Sequence, residues 1–515
     1  MFRKKSKPSS AQKQSAAKGE KNNEANTKKK VPTSATDFIQ SVSNAVHNSS
    51  DLMVKSVPPE LTFIYIDNLV DNQTLNNHIL QDLSKHENLS PENIPSILSI
   101  PHVELADELE KAVISMMDGS VLIHLEGHST VVLANIPTNE TRSLSAPEME
   151  SQVIGSQVAF NESLSTNVSL IRRYIKNPNL CNENLQVGKQ SNTSIAMLYI
   201  KGVASDEMVK TLRQRITDLE TDSVMDSSIL EQLIDDNSFS IFPQMLLTER
   251  PDKVCAELLF GKIAVIVDGS SMVIVCPHSF LEFLQSQEDQ NVRWQIATFL
   301  RLLRFSAVVL SIFLTPLYVA ALTYHYEVIP QTLLVPLSES RALVPFPPIF
   351  EALLLEIMIE LLREAGIRLP TKVGQTIGIV GGIVIGTAAV DAGITSNILI
   401  IIVAIGALAS FTTPSYMMGN VIRVIRFPLI VFAGLWGFYG IMLGLCFILV
   451  HLLRQSSLGS PYTAPFYPPR LLDWRDSLIR LPFPLAFKRP SNTRPEDEDK
   501  YEPEPINPEN EQKVN

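Results

Sequence analysis

The stretch that decides the fold runs from Val373 to Phe411 and reads VGQTIGIVGGIVIGTAAV, then Asp391-Ala392-Gly393, then ITSNILIIIVAIGALASF. Each flanking run has 18 residues with almost no charge. As a helix, such a run can cross roughly 27 Å of hydrocarbon. The three residues between the runs form a short polar turn that can reverse the chain. The sequence therefore predicts a helical hairpin buried in a bilayer.

The first arm of this hairpin carries a regular series of glycines. They recur with i+4 spacing at Gly374, Gly378, Gly382 and Gly386. Residues with this spacing share one face of a helix, and a face without side chains lets another backbone approach closely. The glycine face therefore indicates close packing against another helix. Val390 and Asp391 end the arm, where Asp391 is interpreted as a turn residue.

Composition divides the chain into parts of different character. The 515 residues have a net charge of −11, with 45% hydrophobic and 19% charged residues and a mean hydropathy of +0.12. These averages combine a charged half with a mostly apolar stretch, a basic amino-terminal arm and an acidic tail. The predicted parts are a disordered basic arm (1–35), a first α/β subdomain (36–150), a linker helix with a second α/β subdomain (151–290), a membrane domain of four or five helical segments (291–455), a juxtamembrane amphipathic segment (456–490) and a disordered acidic tail (491–515).

The soluble half repeats itself. Residues 63–72 (FIYIDNLVDN) match residues 197–206 (MLYIKGVASD), and residues 111–135 align without a gap to residues 253–277. Both copies have the pattern of helix, glycine stop, strand, acidic-glycine turn and strand. The predicted fold class is therefore an α/β soluble domain made of two related subdomains, followed by an α-helical multi-span membrane domain.

The sequence has no motif that indicates catalysis or cofactor binding. It contains no nucleophile elbow, P-loop, HExxH motif or dinucleotide fingerprint, so we expect neither an enzyme nor a bound cofactor. His124 and His128 lack the spacing of a metal site and are interpreted as structural. The four scattered cysteines are interpreted as buried small side chains. The basic arm lacks the interleaved aromatic residues of a nucleic-acid-binding segment, which favours a solvated arm near an anionic membrane surface.

A second segment, PFPPIFEALLLEIMIELLREAG at 345–366, places carboxylates in an apolar helix. Glu351 lies in its first turn, where a negative charge is favoured. An acidic stripe follows at i+4 spacing: Glu356, Glu360 and Glu364. A carboxylate at the centre of a bilayer costs about 2.5 kcal/mol or more. Three interpretations follow: an interfacial amphipathic helix with its carboxylates in water, a span with buried ion pairs, or part of an ion path.

The number of membrane spans depends on this segment. A first span is predicted at about 296–318. Three arginines precede it or open it: Arg293, Arg301 and Arg304. By the positive-inside rule these arginines keep its amino-terminal end in the cytoplasm. The run 427–453 is long enough for one tilted span. The sequence thus predicts four or five spans and leaves open the side of the carboxyl terminus.

Several long segments resemble the A subunit of GerA-type spore germinant receptors from endospore-forming bacteria. The resemblance is carried by residues 345–427, by SPYTAPFYPPRLLDWRDSLIRLP after the last span and by ESLSTNVSLIRRYIKNPNL in the soluble half. It extends over roughly residues 60–485. One departure is VIGSQVAF at 153–160, where the family pattern implies a more basic segment with Gly-Pro.

The resemblance implies a receptor subunit in the spore inner membrane that triggers germination when a nutrient binds. It implies partners, namely a transporter-like B subunit and a lipoprotein C subunit, and a soluble domain on the cytoplasmic (core) side. It also implies that copies of the chain oligomerise into a nutrient-gated cation channel. In such a channel the glycine face would line the pore, with Asp391 as a carboxylate at its mouth; otherwise the glycines would only pack against another helix and Asp391 would be a turn residue. A non-conducting scaffold or signal-transducing subunit is an alternative, as is a secondary transporter, although transporters usually show more spans and broken helices in matched halves.

Overall fold

The structure is a computed structural model, and it describes residues 29–57, 60–86, 89–138, 145–369, 382, 386–470, 474, 477–486 and 488–500. The chain divides into two compact units. The first unit comprises Met1–Ser143 with Val168–Glu183, and the second comprises Leu144–Asn167 with Asn184–Asn515.

The first unit is built on a five-stranded antiparallel sheet with the order β1-β2-β4-β5-β3. Its strands are β1 (Leu52–Val57), β2 (Leu61–Ile66), β3 (Val103–Ala106), β4 (Ser120–Leu125) and β5 (Val131–Asn135). Its helices are α1 (Ala35–Ala45), α2 (formed by Asn72–Thr74, the π-helical Leu75–Leu80 and Gln81–Ser84), α3 (Ile94–Ile97) and α4 (Leu109–Met117).

Both faces of this sheet are covered by helices, which explains why its central strands read as unbroken apolar runs. In β2, Ile64 and Ile66 pack into a cluster with Phe38 of α1 and with residues of α4. The alternate residues Phe63 and Tyr65 pack into a second cluster with residues of α2 and α3. Successive side chains of a strand point to opposite faces. The first subdomain therefore has three layers, with the sheet in the middle.

The described part of the chain contacts this subdomain before residue 36, where the sequence placed the end of a disordered arm. Val31 is buried, and its N–H donates to the carbonyl of Asp107 at 3.1 Å. His124 Nε2 lies 2.9 Å from the carbonyl oxygen of Pro32 and 3.1 Å from that of His128. His124 thus fastens the arm to β4, which agrees with the structural role expected from the sequence.

The second unit contains a sheet with the order β6-β7-β9-β10-β8, which repeats the first sheet strand for strand. Its strands are β6 (Leu180–Val187), β7 (Thr193–Ile200), β8 (Leu246–Thr248), β9 (Ile263–Val267) and β10 (Val273–Cys276). The acidic-glycine turns also correspond, since Gly127 and Gly269 have φ angles of +83° and +84°. Such angles favour glycine. The predicted duplication is confirmed.

The linker helix α5 (Leu164–Tyr174) is held by a buried arginine rather than by an exposed basic end. In the first unit, Arg172 Nε donates to Asp51 Oδ2 at 2.8 Å, and its Nη1 donates to the carbonyl of Leu180 at 2.9 Å. Both members of the ion pair are almost fully buried. Arg172 is therefore tied into the first unit and is not free to contact a partner or a membrane.

The second unit continues into a series of helices. The remaining helices of the α/β part are α6 (Asp206–Thr217), α7 (Ser227–Ile234), α8 (Pro251–Leu259) and α9 (Glu288–Asn291). The described helices that follow are α10 (Trp294–Thr323), α11 (Gln331–Arg341), α12 (Pro348–Arg368), α13 (Asn397–Ser410), α14 (Tyr416–Trp436) and α15 (Phe438–Arg454). Within the described residues, α10 and α14 are long and apolar enough to cross a membrane, and α13 and α15 are apolar but shorter. Cys446 on α15 is exposed, so the prediction that every cysteine is buried is wrong there.

The prediction of one tilted span over 427–453 is wrong, because this run folds into two antiparallel helices. Trp436 ends α14, Phe438 begins α15, and Gly437 between them has a φ of +61°. A residue with a Cβ rarely adopts this angle, so glycine allows the reversal here. A Cβ added at Gly440 would overlap the carbonyl oxygen of Phe432 on the facing helix. The glycines of this run therefore close a helical hairpin.

Hydrogen bonds at two levels fix the relative direction of α10 and α14. Ser311, in the middle of α10, accepts from Arg426 Nη2 at 2.6 Å. Tyr324 at the end of α10 donates its hydroxyl to the carbonyl of Leu435 at 2.8 Å. Both contacts advance together along the two helices, so α10 and α14 run parallel and α15 runs antiparallel to both.

The segment after α15 returns to the second α/β subdomain. A short ladder, β11 (Ser456–Ser457) with β12 (Ser460–Pro461), follows the helix. Ser457 Oγ accepts from the backbone N–H of His278 at 3.0 Å and donates to the carbonyl of Gln244 at 2.6 Å. The buried Tyr462 donates its hydroxyl to the carbonyl of Pro243 at 2.7 Å. The carboxyl-terminal end of the last helix is therefore at the α/β subdomain.

Ordered contacts continue into residues 491–500, which the sequence assigned to a disordered tail. Thr493 Oγ1 donates to the carbonyl of Phe260 at 3.0 Å, and the N–H of Glu496 donates to the carbonyl of Val203 at 3.1 Å. The composition of this segment is polar, but the backbone groups that end α8 and β7 provide partners that composition does not reveal.

Candidate functional site in the helical bundle

A buried ion pair joins four helices in the middle of the bundle. Glu356 on α12 is 2% exposed and accepts from Arg426 Nη1 on α14 at 2.7 Å. Its second oxygen accepts from Thr315 Oγ1 on α10 at 3.0 Å. Arg426 Nη2 donates to Ser311 on α10 and, at 3.1 Å, to the carbonyl of Gly406 on α13. A buried charge without a partner costs several kcal/mol, so these contacts hold the four helices at one level.

The acidic stripe becomes more exposed along α12, and each of its carboxylates has a basic partner. Glu360 accepts from Arg363 Nε at 2.9 Å and lies 3.4 Å from Arg423 Nε on α14. Glu364 pairs with Arg368 at 2.7 Å, and both side chains are exposed. Because Glu356 meets Arg426 while the later Glu360 meets the earlier Arg423, α12 runs antiparallel to α14 and α10.

With these contacts, different interpretations of the stripe apply to different carboxylates. Glu356 matches the interpretation of a buried ion pair, and Glu364 matches a carboxylate in water. Glu360, which is partly buried beside two arginines, lies between these cases. As a whole, α12 is not an interfacial helix with all its carboxylates in water, because the bundle encloses its first half.

Glu351 caps a helix other than its own. Its Oε1 accepts from Thr395 Oγ1 at 3.1 Å and from the N–H of Ser396 at 2.6 Å, at the start of α13. Arg341 lies 3.7 Å from the other oxygen. Ser396 Oγ is 3.3 Å from the hydroxyl of Tyr318 near the end of α10, so α13 runs antiparallel to α10. The sequence indicated only that Glu351 suits a helix start, since its partners are distant along the chain.

The glycine arm is described only near its end. Two of its glycines lie outside the described residues: Gly374 and Gly378. A Cβ added at Gly382 or Gly386 would meet no atom within 4 Å. Residues 386–391 are helical, with Val390 half-buried and Asp391 exposed at the last helical position. Gly393 follows with a φ of +69°, and the chain turns after Asp391.

Two arginines at the start of α10 are neutralised by a carboxylate of the second unit. Asp289 on α9 is almost fully buried and accepts from Arg301 Nε at 3.2 Å and from Arg304 Nη2 at 3.0 Å. Arg304 Nη1 also donates to the carbonyl of Leu284 at 2.7 Å. These contacts fasten the start of α10 to the α/β subdomain.

A buried lysine is the centre of the contact between the second subdomain and the carboxyl-terminal segment. Lys262 Nζ lies 2.7 Å from Glu257 and 3.0 Å from Glu282, and it donates to His278 Nδ1 at 3.1 Å. Burial lowers the pKa of Lys262, but the two carboxylates outweigh it and raise that pKa. Burial and the lysine charge lower the pKa of His278, so it is neutral. Glu282 also accepts from Asn492 at 3.0 Å.

Burial raises the pKa of two carboxyl groups of the same subdomain. Burial, with the nearby Asp235, raises the pKa of Glu231 to about 8. Burial and the charge of Asp236 raise the pKa of Asp235 to about 7, although Arg215 opposes this shift. Asp236 itself accepts from the N–H of Gly459 at 3.1 Å, so the group lies where the chain returns from α15. Over the described ranges, no three or more His, Cys, Asp or Glu residues are grouped to hold a metal ion.

Comparison with known proteins identifies the family. Residues 40–492 match the family described as Bacillus/Clostridium GerA spore germination protein. The chain belongs to the GerA family. Spore germination protein GerQA of Bacillus cereus is 44% identical over 481 residues, which are 93% of this chain and 96% of that protein. Spore germination protein KA of Bacillus subtilis is 39% identical over 478 residues, covering 91% of this chain and 88% of that protein.

A solved structure is also similar to part of this GerA-family chain. The crystal structure of the N-terminal domain of the A subunit of the Bacillus megaterium spore germinant receptor GerK3 is 28% identical. It covers 49% of this chain and 98% of that chain, with a TM-score of 0.40. The resemblance to germinant receptor A subunits that the sequence motifs carry is thus confirmed by the family match and by relatives named spore germination proteins.

Proposed function

We propose that this chain is the A subunit of a nutrient germinant receptor in the spore inner membrane, and that copies of it assemble into a nutrient-gated cation channel. Membership of the GerA family supports the receptor role. The main support for a channel is the glycine face, which is open at its described positions. Among the described residues, no atom lies within 4 Å of a Cβ added at Gly382 or Gly386, whereas Gly434 and Gly440 are covered by Ile349 and Phe432. A bare helix face at bilayer depth favours close approach of another helix.

The directions of the helices support an even number of membrane passages. In this proposal α10 and α14 lead away from the α/β domain, and α12, α13 and α15 lead back. The chain leaves α12 at the end near that domain, and α13 begins at the opposite end of the bundle. The proposal therefore includes one more outward passage between α12 and α13, which gives six in total. Both termini would lie on the cytoplasmic (core) side.

The proposed pore face follows the glycine arm. Its residues are Gly374, Gly378, Gly382, Gly386, Val390 and Asp391. Asp391 provides an exposed carboxylate where this arm turns, which suits the mouth of a cation path. The paired stripe on α12 serves the proposal differently, by holding the bundle that carries the arm. A transporter-like B subunit and a lipoprotein C subunit are the proposed partners, and the lipid bilayer surrounds the assembly.

One experiment in spores tests this function. Spores that carry the double variant Gly382→Leu and Gly386→Leu are exposed to a rich nutrient mixture, and potassium release is recorded. Bulky side chains on a pore-facing or packing face should slow release strongly or lock the receptor. The matched variant Gly366→Leu, at a glycine that also meets nothing within 4 Å, should release potassium as the wild type does. Unchanged release and assembly in the double variant would contradict the pore assignment.

A non-conducting transducer is the second candidate, and the acidic stripe favours it. Glu356, Glu360 and Glu364 are paired with arginines, so the described stripe offers no unpaired carboxylate to a passing cation. In this alternative the duplicated α/β domain relays a signal while another subunit conducts. Conductance of the purified receptor separates the two candidates.

A further inference from the structure

An exposed apolar stripe on α10 marks the depth of the bilayer along the bundle. Its members recur every seven residues: Ile296, Leu303, Leu310 and Leu317. The first two lie at the level of Arg301 and Arg304, which bond to the α/β subdomain, so the part that can face lipid begins after Arg304. At about 1.5 Å per residue, the chain from the exposed Phe305 to Tyr324 is about 29 Å long. That length matches a hydrocarbon core of about 30 Å. The exposed Tyr324 and Tyr326 follow at the far end, where aromatic residues are favoured at the lipid–water boundary.

An apolar loop of the second α/β subdomain lies at the near end of α15. Ser240 Oγ is 3.0 Å from Nε2 of His451, three residues before that helix ends. The ring of the buried Phe242 packs 5.8 Å from the same histidine. Between and beside these anchors, Phe239 is 98% exposed and Ile241 is also exposed. The loop thus presents a phenylalanine to the outside at the level where α15 enters the subdomain.

A second apolar loop lies at the near end of α10. Arg480 is buried and donates from Nη1 to the carbonyl of Val292 at 2.6 Å and from Nη2 to that of Gln290 at 3.0 Å, just before α10 begins. Its guanidinium lies 4.6 Å from the centre of the Phe483 ring. Phe483 is 68% exposed, and Leu485 beside it is exposed as well. This loop therefore presents apolar side chains at the amino-terminal end of α10, on the α/β side of the stripe.

We propose that these two loops rest in the headgroup region of the leaflet on the α/β side and seat the second subdomain on the membrane. The proposal rests on the membrane topology given under the proposed function. The free energy falls when apolar side chains enter the interfacial region of a membrane. Large exposed apolar patches on a protein mark interaction sites. The bilayer is the occupant that fits, because both loops are fixed at the ends of apolar helices, on the α/β side of the stripe.

The test places a nitroxide label at four positions in the full-length chain, reconstituted in vesicles of phosphatidylethanolamine and phosphatidylglycerol. The background is Cys446→Ser, since the other three cysteines are buried. Phe239→Cys and Phe483→Cys report on the loops, and Leu310→Cys reports on the middle of α10. Met225→Cys is the matched control, because Met225 is 66% exposed and lies at the far end of the second subdomain. The next residue, Asp226, accepts a hydrogen bond from Ser270 in the β9–β10 turn, and Cys276 lies at the opposite end of β10.

We expect oxygen, which concentrates in lipid, to relax the labels at 239 and 483 more than a water-soluble nickel chelate does. Their oxygen-to-nickel ratio should exceed that of the Met225→Cys label several-fold and fall below that of the Leu310→Cys label. If both loop labels behave like the control while Leu310→Cys favours oxygen, the loops do not touch lipid and the topology stands. If Leu310→Cys also favours nickel, the topology itself fails. Labels shielded from both reagents would mean that a protein covers the loops, which also overturns the proposal.

Discussion

The Glu356–Arg426 pair is the residue-scale feature on which the bundle depends most. Both side chains are buried, and hydrogen bonds with Thr315, Ser311 and Gly406 add further partners on each side. Removing one member of a buried pair leaves the other charge without compensation, whereas removing both does not. Removing one member of an exposed pair on the same helix costs little, because water solvates the remaining partner.

The first prediction compares a buried and an exposed carboxylate of one stripe. Glu356→Ala should lower the free energy of unfolding by about 3–5 kcal/mol, because Arg426 stays buried without its partner. Glu364→Ala should change it by less than about 1 kcal/mol, because its pair is exposed. Chemical unfolding of the full-length protein in detergent measures both. Similar losses in the two variants would refute the assignment of Glu356 to a buried network.

The second prediction concerns the pH dependence of stability. Glu231 has a pKa of about 8 in the folded protein and near 4.5 when unfolded. It therefore binds a proton in the folded state between these values, and stability falls as pH rises from about 4.5 to about 8. The total loss is roughly 3–5 kcal/mol at 1.36 kcal/mol per pKa unit. The free energy of unfolding, measured at several pH values, should depend less on pH in Glu231→Gln. Glu220→Gln, whose side chain is exposed, should keep the wild-type pH dependence.

At the scale of elements, the sequence predicted the repeats and turns more reliably than the spans. The acidic-glycine turns and the turn after Asp391 could be predicted, because each combines a polar residue with a glycine between apolar runs. The reversal at Gly437 was missed, since WGFYG contains no polar residue and the flanking glycines resemble those of a packed single helix. The partner of Glu351 was missed because a cap formed by another helix leaves no local pattern.

The third prediction tests the hairpin at Gly437. Gly440→Ala should lower the free energy of unfolding by about 1–3 kcal/mol, because its Cβ would overlap the backbone of Phe432. Gly366→Ala is the control, since its Cβ meets nothing and alanine favours a helix, so stability should stay equal or rise slightly. Thermal unfolding in detergent measures the difference. Equal stability of the two variants would argue against the close crossing of α14 and α15.

At the scale of the whole molecule, duplication and family were predictable, but topology was not. The repeat is visible because residues 111–135 and 253–277 keep the same spacing of glycines. The span count depended on α12, whose carboxylates suit several environments until their partners are known. The return of residues 456–500 to the second subdomain uses mainly backbone carbonyls and buried hydroxyls, which composition does not reveal.

The fourth prediction follows from this topology. In a Cys446→Ser background, a membrane-impermeant maleimide should label Leu343→Cys in intact protoplasts, because Leu343 lies exposed beyond the end of α11. Met225→Cys and Tyr467→Cys should react only after permeabilisation. Labelling of Tyr467→Cys in intact protoplasts would place the carboxyl terminus outside and would contradict an even number of passages.

The central claim is that this chain contributes the conducting path of the receptor. The most direct measurement is the current through the receptor complex, purified from spores by a tag on this chain and fused into a planar bilayer. On addition of a nutrient mixture we predict a cation current in the wild type and in Gly366→Leu, and a much smaller or permanently altered current in Gly382→Leu with Gly386→Leu. A nutrient-dependent current that is the same in all three would contradict the claim.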